Sequence, residues 1–598
     1  MTTNPLVEFL ASYGPQPSSN NLYDEFVVAA SAKTGCAPLK IQQPLVKELI
    51  DLLRSESPKS VILTGTAGDG KTFTARKVAE ALAESGTAWG NTDKVFELPE
   101  PPWTYRRLRF IKDLSELNES DKKAIYPEIR ASLVGESRDI FMICVNDGHL
   151  LKFFRDRGDE ILHDKVADML RKNTREDSDG GFRLINMSRQ SHQNLVDQII
   201  DGVVYHPNWS ACGGCPALSD GQNPCPIRCN LEILRRTNRA SMRARLKDMI
   251  RMAAADGRHL SIRQLILLMV NILLGDTKPG SALLTCRKAK TRARNNDYAA
   301  TNPCANAFGV NLTEKERGQY GAFAVLSEFQ VGFETNNYFD HGLLWEENDL
   351  PGCTFYGSRI FSSLRDRYRG DPSEHAAEFQ REMVDQRRRL FFSLDPESED
   401  VRRDPRRNPW NLTVFKHGAD YVAMVDDLLA EQGTPPKDVR RGLMRGLNRM
   451  MTGEMTTTDD QLWLTAPAGV YMGREIPLLV QRAGRPGQGT SVVSFLIPAD
   501  DGRPPVLRVT VLSQNSPSVD LALRPTLVEC LLRIADGALP ASFSSECQRE
   551  VERVQLQAAT AVRDAFGGIV PIPKEVKMDG GRLQEKEIAI MTRGEFWG

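Results

Sequence analysis

The residues with the clearest chemistry lie near the start of the chain, in the segment Gly65-Thr66-Ala67-Gly68-Asp69-Gly70-Lys71-Thr72. This segment fits the pattern G-x-x-x-x-G-K-[ST], in which glycines let several backbone N–H groups point inward at an anion. Lys71 would reach the β- and γ-phosphates of a nucleotide, and the Thr72 hydroxyl would join the shell of a Mg²⁺ ion. The segment therefore predicts a site for ATP and Mg²⁺. A glycine-rich turn with an incidental Lys-Thr pair is the alternative.

The sequence on either side of this segment predicts the elements that would position it. Ser60–Thr64 is a short apolar run typical of a buried strand. Phe73–Glu84 is rich in Ala, Lys, Arg and Glu, which is typical of a helix. A helix N-terminus directly after the loop would add partial positive charge beside the phosphates.

A second predicted strand, Arg109–Glu116, is short and apolar and ends in acidic residues. Asp113 is placed to hold the magnesium shell, and Glu116 or a neighbour to polarise the attacking water, as at a Walker B position. However, Lys112 interrupts the apolar run and an adjacent Asp-Glu pair is absent. A surface strand followed by a helix cap is therefore the alternative interpretation.

A third predicted strand, Ile140–Asp147, has Asn146 and Asp147 at its C-terminal end. Its uninterrupted apolar run is typical of a parallel strand that is buried on both faces. Asp147 is a second candidate for the acid that holds magnesium, and a plain Asn-Asp-Gly turn is the alternative. Further along, Leu231–Leu274 predicts helices, with Arg263 on the polar face of an otherwise apolar one.

Strands that alternate with helices and lead into a helical segment resemble the AAA+ and STAND classes of ATPase over roughly residues 40–275. The resemblance implies that Asn146 orients the hydrolytic water, as sensor 1. It also implies that Arg263 reaches back to the phosphates, as sensor 2, although a solvated cation is the alternative. Arg171 or Arg175 would be an arginine finger, or else a cation at a solvated helix end.

The expected fold class is an α/β P-loop NTPase, a parallel sheet with a helical lid, followed by a mainly helical region and a small antiparallel β domain. Gln461–Thr465, Ser491–Leu496 and Val506–Val511 predict the strands of the β domain, because Gly, Pro and Asp turns separate them. Four domains are expected. The nucleotide-binding domain covers residues 1–200, and a lid with a cysteine insertion covers residues 201–280. A mainly helical basic region at 281–455 is followed by the β domain with a C-terminal helix at 456–598.

Four cysteines in the lid region have the spacing C-x2-C-x9-C-x3-C, at Cys212, Cys215, Cys225 and Cys229. Two close pairs in a loop rich in Gly and Pro suit a tetrahedral site for structural zinc, which is a closed site without an open catalytic position. An iron–sulfur cluster is a less common occupant of four thiolates. Unligated cysteines or two disulfides are the remaining alternatives.

Composition limits the classes of protein that the chain can represent. Its 598 residues are enough for three or four domains, and its net charge of -1 gives no global sign of nucleic-acid binding. No apolar run approaches the length of a membrane span. Eleven cysteines in so long a chain, together with a nucleotide site, favour the reducing cytoplasm.

Several local stretches are strongly basic despite this near-neutral balance. Residues 286–294 lie within a polar segment of expected low order at 275–309, and further clusters occur at 387–389, 402–407 and 437–449. Such stretches would bind the phosphates of DNA if they shared one face. A solvated loop, a partner protein or intersubunit ion pairs are the alternatives.

A narrower resemblance rests on Gly65–Thr72, Phe141–Gly148, residues 212–229 and Gly446–Gly453. Together these segments resemble the DptF family, the ATPase components of DNA-phosphorothioation-dependent restriction systems in bacterial antiphage defence. The resemblance implies ATP hydrolysis coupled to DNA and partner defence subunits such as a nuclease. We also expect a homo-oligomer. The alternatives are a nucleotide-gated scaffold or sensor with little turnover and, less favoured, a nucleotide kinase.

Overall fold

The structure is a computed structural model. It describes residues 3–15, 23–41, 44–83, 89, 93–98, 107–176, 181–189, 193–215, 223–277, 283–345, 354–430, 434–466, 478–484, 491–498, 503–513, 515–565, 574–587, 589–590 and 596–597.

The N-terminal half contains a mixed sheet whose strands are mostly parallel. Its strand order is β2-β3-β4-β1-β5, with β1, β3, β4 and β5 parallel and β2 antiparallel on β3. Every residue of β1, β3 and β4 is buried, and most of these residues are apolar. The buried Arg109 of β3 forms an ion pair with Glu128. The strands are β1 (Ser60–Thr64), β2 (Val95–Glu97), β3 (Leu108–Ile111), β4 (Ile140–Cys144) and β5 (Phe182–Asn186).

Helices cover both faces of this sheet, because alternate strand residues face opposite sides. Val61 and Leu63 pack with α3 and α4 on one face. Ile62 packs with α5, α6 and α7 on the other face. The helices before and around the sheet are α1 (Pro5–Ala11), α2 (Tyr23–Thr34), α3 (Pro44–Leu53), α4 (Lys71–Leu82), α5 (Glu119–Leu133), α6 (Asp147–Arg155) and α7 (Glu160–Lys172).

A long helical region follows the sheet. One apolar cluster runs through it from Leu6 in α1 to Ala558 near the C-terminus, so these helices share a core distinct from the two sheet cores. The helices are α8 (Gln193–Val204), α9 (Pro226–Arg235), α10 (Met242–Ala255), α11 (Ile262–Leu274), α12 (Cys286–Arg294), α13 (Pro303–Asn306), α14 (Glu314–Gln319), α15 (Gly321–Ser327), α16 (Asn337–Trp345), α17 (Thr354–Gly370), α18 (Pro372–Ser393), α19 (Glu399–Arg403), α20 (Gly418–Leu429) and α21 (Lys437–Thr452).

The C-terminal region contains separate antiparallel sheets with two helices. The strand orders are β10-β9-β8, β12-β11-β7-β6 and β13-β14. The three strands predicted at 461–465, 491–496 and 506–511 are confirmed as β6, β8 and β9. The elements are β6 (Leu462–Thr465), β7 (Leu478–Ala483), β8 (Ser491–Leu496), β9 (Val506–Val511), β10 (Ser518–Ala522), α22 (Pro525–Ala535), α23 (Ser545–Ala565), β11 (Lys574–Asp579), β12 (Arg582–Glu587), β13 (Ala589–Ile590) and β14 (Phe596–Trp597).

Two expectations about the basic stretches are wrong. Residues 286–294 form the capped helix α12, not a segment of low order, since the Thr285 side chain accepts a hydrogen bond from the Lys288 N–H. The run Arg387–Arg389 is buried, not a surface for phosphates. The first two arginines pair with Asp340 and Asp385, and the third donates to Gln386.

The segment Gly446–Gly453 has a structural role at the junction of α21, α22 and β6. Gly446 lies against the backbone of Leu531, where a side chain would overlap the carbonyl group. Asn448 accepts a hydrogen bond from the Trp463 N–H of β6. Arg449 donates to the Ile534 and Ala535 carbonyls at the end of α22, at 2.7 and 3.0 Å. Close packing and backbone capping therefore account for the residue types of this segment.

None of the helices in the described ranges is both long enough and apolar enough to cross a membrane.

Candidate functional site

The predicted site residues meet at one edge of the parallel sheet. Parallel strands bring their carboxyl ends together, and such edges are where open α/β sheets bind ligands. The glycine-rich segment follows β1, Asp113 follows β3, Asn146 follows β4, and Ser188 follows β5. Because β4 lies between β1 and β3, Asn146 is the nearer of the two predicted catalytic residues to the glycine-rich loop.

The loop itself, residues 65–70, curls through three glycines with positive φ. These are Gly65, Gly68 and Gly70, at 135°, 90° and 83°, values that other residues adopt only with strain. A Cβ atom on Gly65 would lie 2.7 Å from Asp69 Oδ2, and one on Gly68 would lie 2.9 Å from Ser261 Oγ. Helix α4 begins at Lys71 directly after the loop. The curled loop and helix N-terminus form the kind of concave, N–H-rich backbone that binds anions.

Lys71 is the buried cation of the site. Its Nζ donates to the Gly65 carbonyl at 2.9 Å, to the Thr66 carbonyl at 2.8 Å and to Asn146 Oδ1 at 2.9 Å. Burial lowers the pKa of Lys71, while nearby carboxylates including Asp69 and Asp113 oppose that shift. A second anion beside the ammonium would therefore favour its charged form.

Asp69 is a residue of the loop whose side chain stabilises the loop conformation. Its Oδ2 accepts hydrogen bonds from the Thr66 N–H at 2.7 Å and from the Ser188 hydroxyl at 2.6 Å, and its Oδ1 lies 2.6 Å from His259 Nε2. Burial raises the pKa of Asp69, but these partners lower it by more, so the net shift is downward. The carboxylate therefore stays ionised at neutral pH, and its contribution is lost only as the pH falls through that lowered pKa.

Asp113, Glu116 and Thr72 occupy the neighbouring strand end. The Thr72 hydroxyl donates to the Lys112 carbonyl at 3.2 Å, which ties α4 to β3. The strand β3 ends at Ile111 and not at Glu116 as the sequence predicted, because Asp113 caps a 3-10 turn over Leu114–Glu116. Its Oδ1 accepts from the Ser115 N–H at 2.8 Å. Glu116 is exposed at the end of this turn. Asp113 therefore has the geometry of the predicted cap, and it also lies close enough to Lys71 to interact with it electrostatically.

Asn146 and Asp147 begin α6 with their side chains turned to different partners. Asn146 makes no capping hydrogen bond, because its Oδ1 accepts from Lys71 instead. Asp147 Oδ2 accepts from Asn186 Nδ2 at 3.2 Å. Asp147 Oδ1 is buried, and in the described part of the chain no hydrogen-bond donor reaches it. A buried carboxylate oxygen of this kind is the donor atom that a hydrated magnesium ion requires, so the residues present fit the expected ion.

The start of α11 lies directly over the loop. Arg263 contributes its backbone N–H, which donates to the Gly68 carbonyl at 3.4 Å, and the Ser261 side chain lies beside the same glycine. Ser261 and Gln264 form a capping box that fixes this end of the helix. The structure thus brings Arg263 to the loop, together with His259 two residues before the helix cap.

Two other predicted cations are held in ion pairs at the end of α7 and beyond it. Arg171 pairs with Asp168 within the helix, and Arg175 lies 3.6 Å from Glu48 on α3. These are exposed pairs, which contribute little to stability.

Sequence reasoning missed Ser188, Asn186 and His259. A weak signal existed for Asn186, because it is a polar residue at the end of an apolar strand, as Asn146 is. His259 gave no such signal, since its partner Asp69 is 190 residues away in the chain.

We expect Asp69→Ala to weaken ATP binding about 10- to 100-fold, because the Thr66 N–H, the Ser188 hydroxyl and the His259 ring would all lose a charged acceptor. Titration with a fluorescent ATP analogue would measure the change. His259→Ala removes only one of the three partners of Asp69, so we expect it to weaken ATP binding less. Wild-type affinity in the Asp69 variant would show that the loop keeps its shape without this carboxylate.

The four predicted zinc ligands are only partly brought together. Cys212, Cys215 and Cys225 line a common cavity, whereas Cys229 lies one turn further along α9 and is not among the described residues that line it. No disulfide joins the cysteines of the described ranges. Within those ranges, no three His, Cys, Asp or Glu side chains already stand at metal-binding spacing.

Comparison with known protein families, curated proteins and solved structures finds no match for this chain. Its function is therefore argued from the geometry of the site and from the sequence.

Proposed function

We propose that this chain is an ATP hydrolase of the P-loop NTPase class. The observation that carries the proposal is a lysine at the first residue of a helix, directly after a loop curled by three positive-φ glycines. Its ammonium lies 2.9 Å from an asparagine that follows the adjacent strand. The first half of this arrangement suits the binding of phosphates. The asparagine supplies a polar group beside the position that the terminal phosphate would occupy, where an attacking water must be oriented.

Each residue then has a distinct task in phosphoryl transfer. Lys71 and the loop N–H groups would neutralise charge on the β- and γ-phosphates. Thr72 together with Asp113, or alternatively Asp147, would hold Mg²⁺, which would supply charge neutralisation. Asn146 would position the water that attacks the γ-phosphate, with Glu116 as the candidate to polarise it.

We further propose that ATP hydrolysis serves a DNA-directed antiphage defence complex. The resemblance to the DptF family supports this role, and so does the exposure of Arg287 and Arg294 on the basic helix α12. The buried run Arg387–Arg389 no longer supports it. Exposed basic residues remain on α12, at Lys437 and Arg441 of α21, and in the stretch 402–407, where Arg403 and Arg406 form ion pairs with neighbouring acids.

ATP turnover by the full-length protein, with and without double-stranded DNA, tests the proposal. Turnover that rises with DNA, and rises less in the double variant Arg287→Ala/Arg294→Ala, is the expected result. The double variant Arg402→Ala/Arg403→Ala removes the same charge from the stretch 402–407 and shows whether that cluster also contributes to the DNA effect. ATP binding without turnover in either condition would overturn the hydrolase assignment and favour the nucleotide-gated scaffold.

A further inference from the structure

Four thiols from distant parts of the chain meet at one small cavity in the helical region. Cys212 ends a 3-10 turn over Pro207–Cys212, Cys215 follows it, and Cys225 caps the start of α9. The fourth is Cys286, the first residue of α12. All four line a cavity of about 30 Å³. The sequence pattern had assigned the fourth position to Cys229, which is nearer in the chain.

Hydrogen-bond donors surround these sulfur atoms. Asn4 Nδ2 donates to Cys212 Sγ at 3.1 Å, and the Asn4 backbone N–H donates to Cys286 Sγ at 3.4 Å. Cys225 lies at the N-cap of α9, next to the first N–H groups of that helix. Donors of this kind stabilise sulfur that carries negative charge, and they are typical of the second shell of thiolate metal sites.

Two residues with cationic side chains, Arg228 and Lys290, line the same cavity, and Arg228 also pairs with Glu232 at 3.3 Å. Four thiolates around one divalent ion carry a net charge of about −2, so two neighbouring cations offset the charge of such a centre. Apolar neighbours, including Val7 and Trp209, complete the lining and limit the access of water.

We propose that Cys212, Cys215, Cys225 and Cys286 bind one structural zinc ion, with Cys286 in place of Cys229. Zinc requires four sulfurs at about 2.3 Å from a common centre, and rotation about the Cα–Cβ bond moves each sulfur without moving the backbone. A cavity of about 30 Å³ has room for a single ion.

Such a zinc ion would link two structural elements that lie far apart in the sequence. It would join the turn before α9 to the start of α12, at a point where Asn4 already contacts both Cys212 and Cys286. The basic helix α12 would then be fixed at its first residue to the body of the helical region. This inference does not depend on the ATPase activity.

Metal analysis of two matched variants of the full-length protein tests the assignment. Protein purified under reducing conditions is expected to contain about one zinc per chain. Cys286→Ser should lose most of this zinc, whereas Cys229→Ser should retain it. Retention in Cys286→Ser, or loss in Cys229→Ser, would overturn the ligand set. Iron with sulfide in place of zinc, disulfides, or the absence of metal would overturn the zinc site itself.

A second measurement needs no variant and covers the case in which Cys286→Ser fails to fold. Alkylation of the native wild-type protein, followed by peptide mass spectrometry, should modify Cys229 and leave Cys286 protected. Treatment with a chelator should then expose Cys286 to alkylation. Protection of Cys229 together with modification of Cys286 in the untreated protein would contradict the proposal.

Discussion

Replacement of Lys71 by alanine is expected to lower ATP turnover about 10³-fold and to abolish measurable nucleotide binding. The ammonium is buried and bonded to the loop carbonyls and to Asn146, so no neighbouring cation can take its place without rebuilding the loop. Steady-state hydrolysis assays and titration with a fluorescent ATP analogue would measure the two effects separately.

The matched control is Lys77→Ala, which removes a lysine from the exposed side of the same helix. Lys77 pairs with Glu80 and its side chain is 45% exposed, so its loss should change turnover by no more than about twofold. Equal effects of the two variants would indicate damage to α4 in general. Unchanged binding in Lys71→Ala would place the nucleotide elsewhere on the molecule.

Replacement of Asp113 by asparagine is expected to lower turnover about 10²- to 10³-fold while ATP binding changes little, if Asp113 is the acid that holds magnesium. Asparagine keeps the acceptor that caps the 3-10 turn but removes the negative charge. Asp147→Asn is the variant to compare with it, because the buried Oδ1 of Asp147 is the other candidate ligand for magnesium. The variant with the larger loss of turnover, and with a raised magnesium requirement, identifies the metal-holding acid.

Asp371 offers a close structural control for this experiment. It caps α18 by accepting from the Ser373 N–H at 3.1 Å and the Ser373 hydroxyl at 2.7 Å, much as Asp113 accepts from the N–H and hydroxyl of Ser115. Asp371→Asn should therefore leave turnover unchanged. If Asp113→Asn and Asp147→Asn both behave like Asp371→Asn, neither acid holds the metal, and the exposed Glu116 becomes the next residue to replace.

The sequence alone was sufficient to predict structural features that depend on residues close together in the chain. The three strands β1, β3 and β4 follow from short, mainly apolar runs, because a parallel strand buried on both faces is mostly apolar. The charged Arg109, buried in β3, is an exception that sequence reasoning does not explain. The loop after β1 follows from glycine spacing, since positive φ angles favour glycine. The strand order was not predictable in this way, because which strands pair depends on the packing of helices against both faces.

Only the tertiary structure decided which residues meet across long distances in the chain. His259 reaches Asp69 because α11 packs over the loop. The basic run Arg387–Arg389 looked like a surface in the sequence, yet it is buried, with Arg387 and Arg388 paired with Asp340 and Asp385. Cys286 joins the other thiols because α12 begins beside them, whereas sequence spacing favoured Cys229. Sequence patterns report local geometry, but charge pairing and ligand sets depend on contacts that only the folded chain creates.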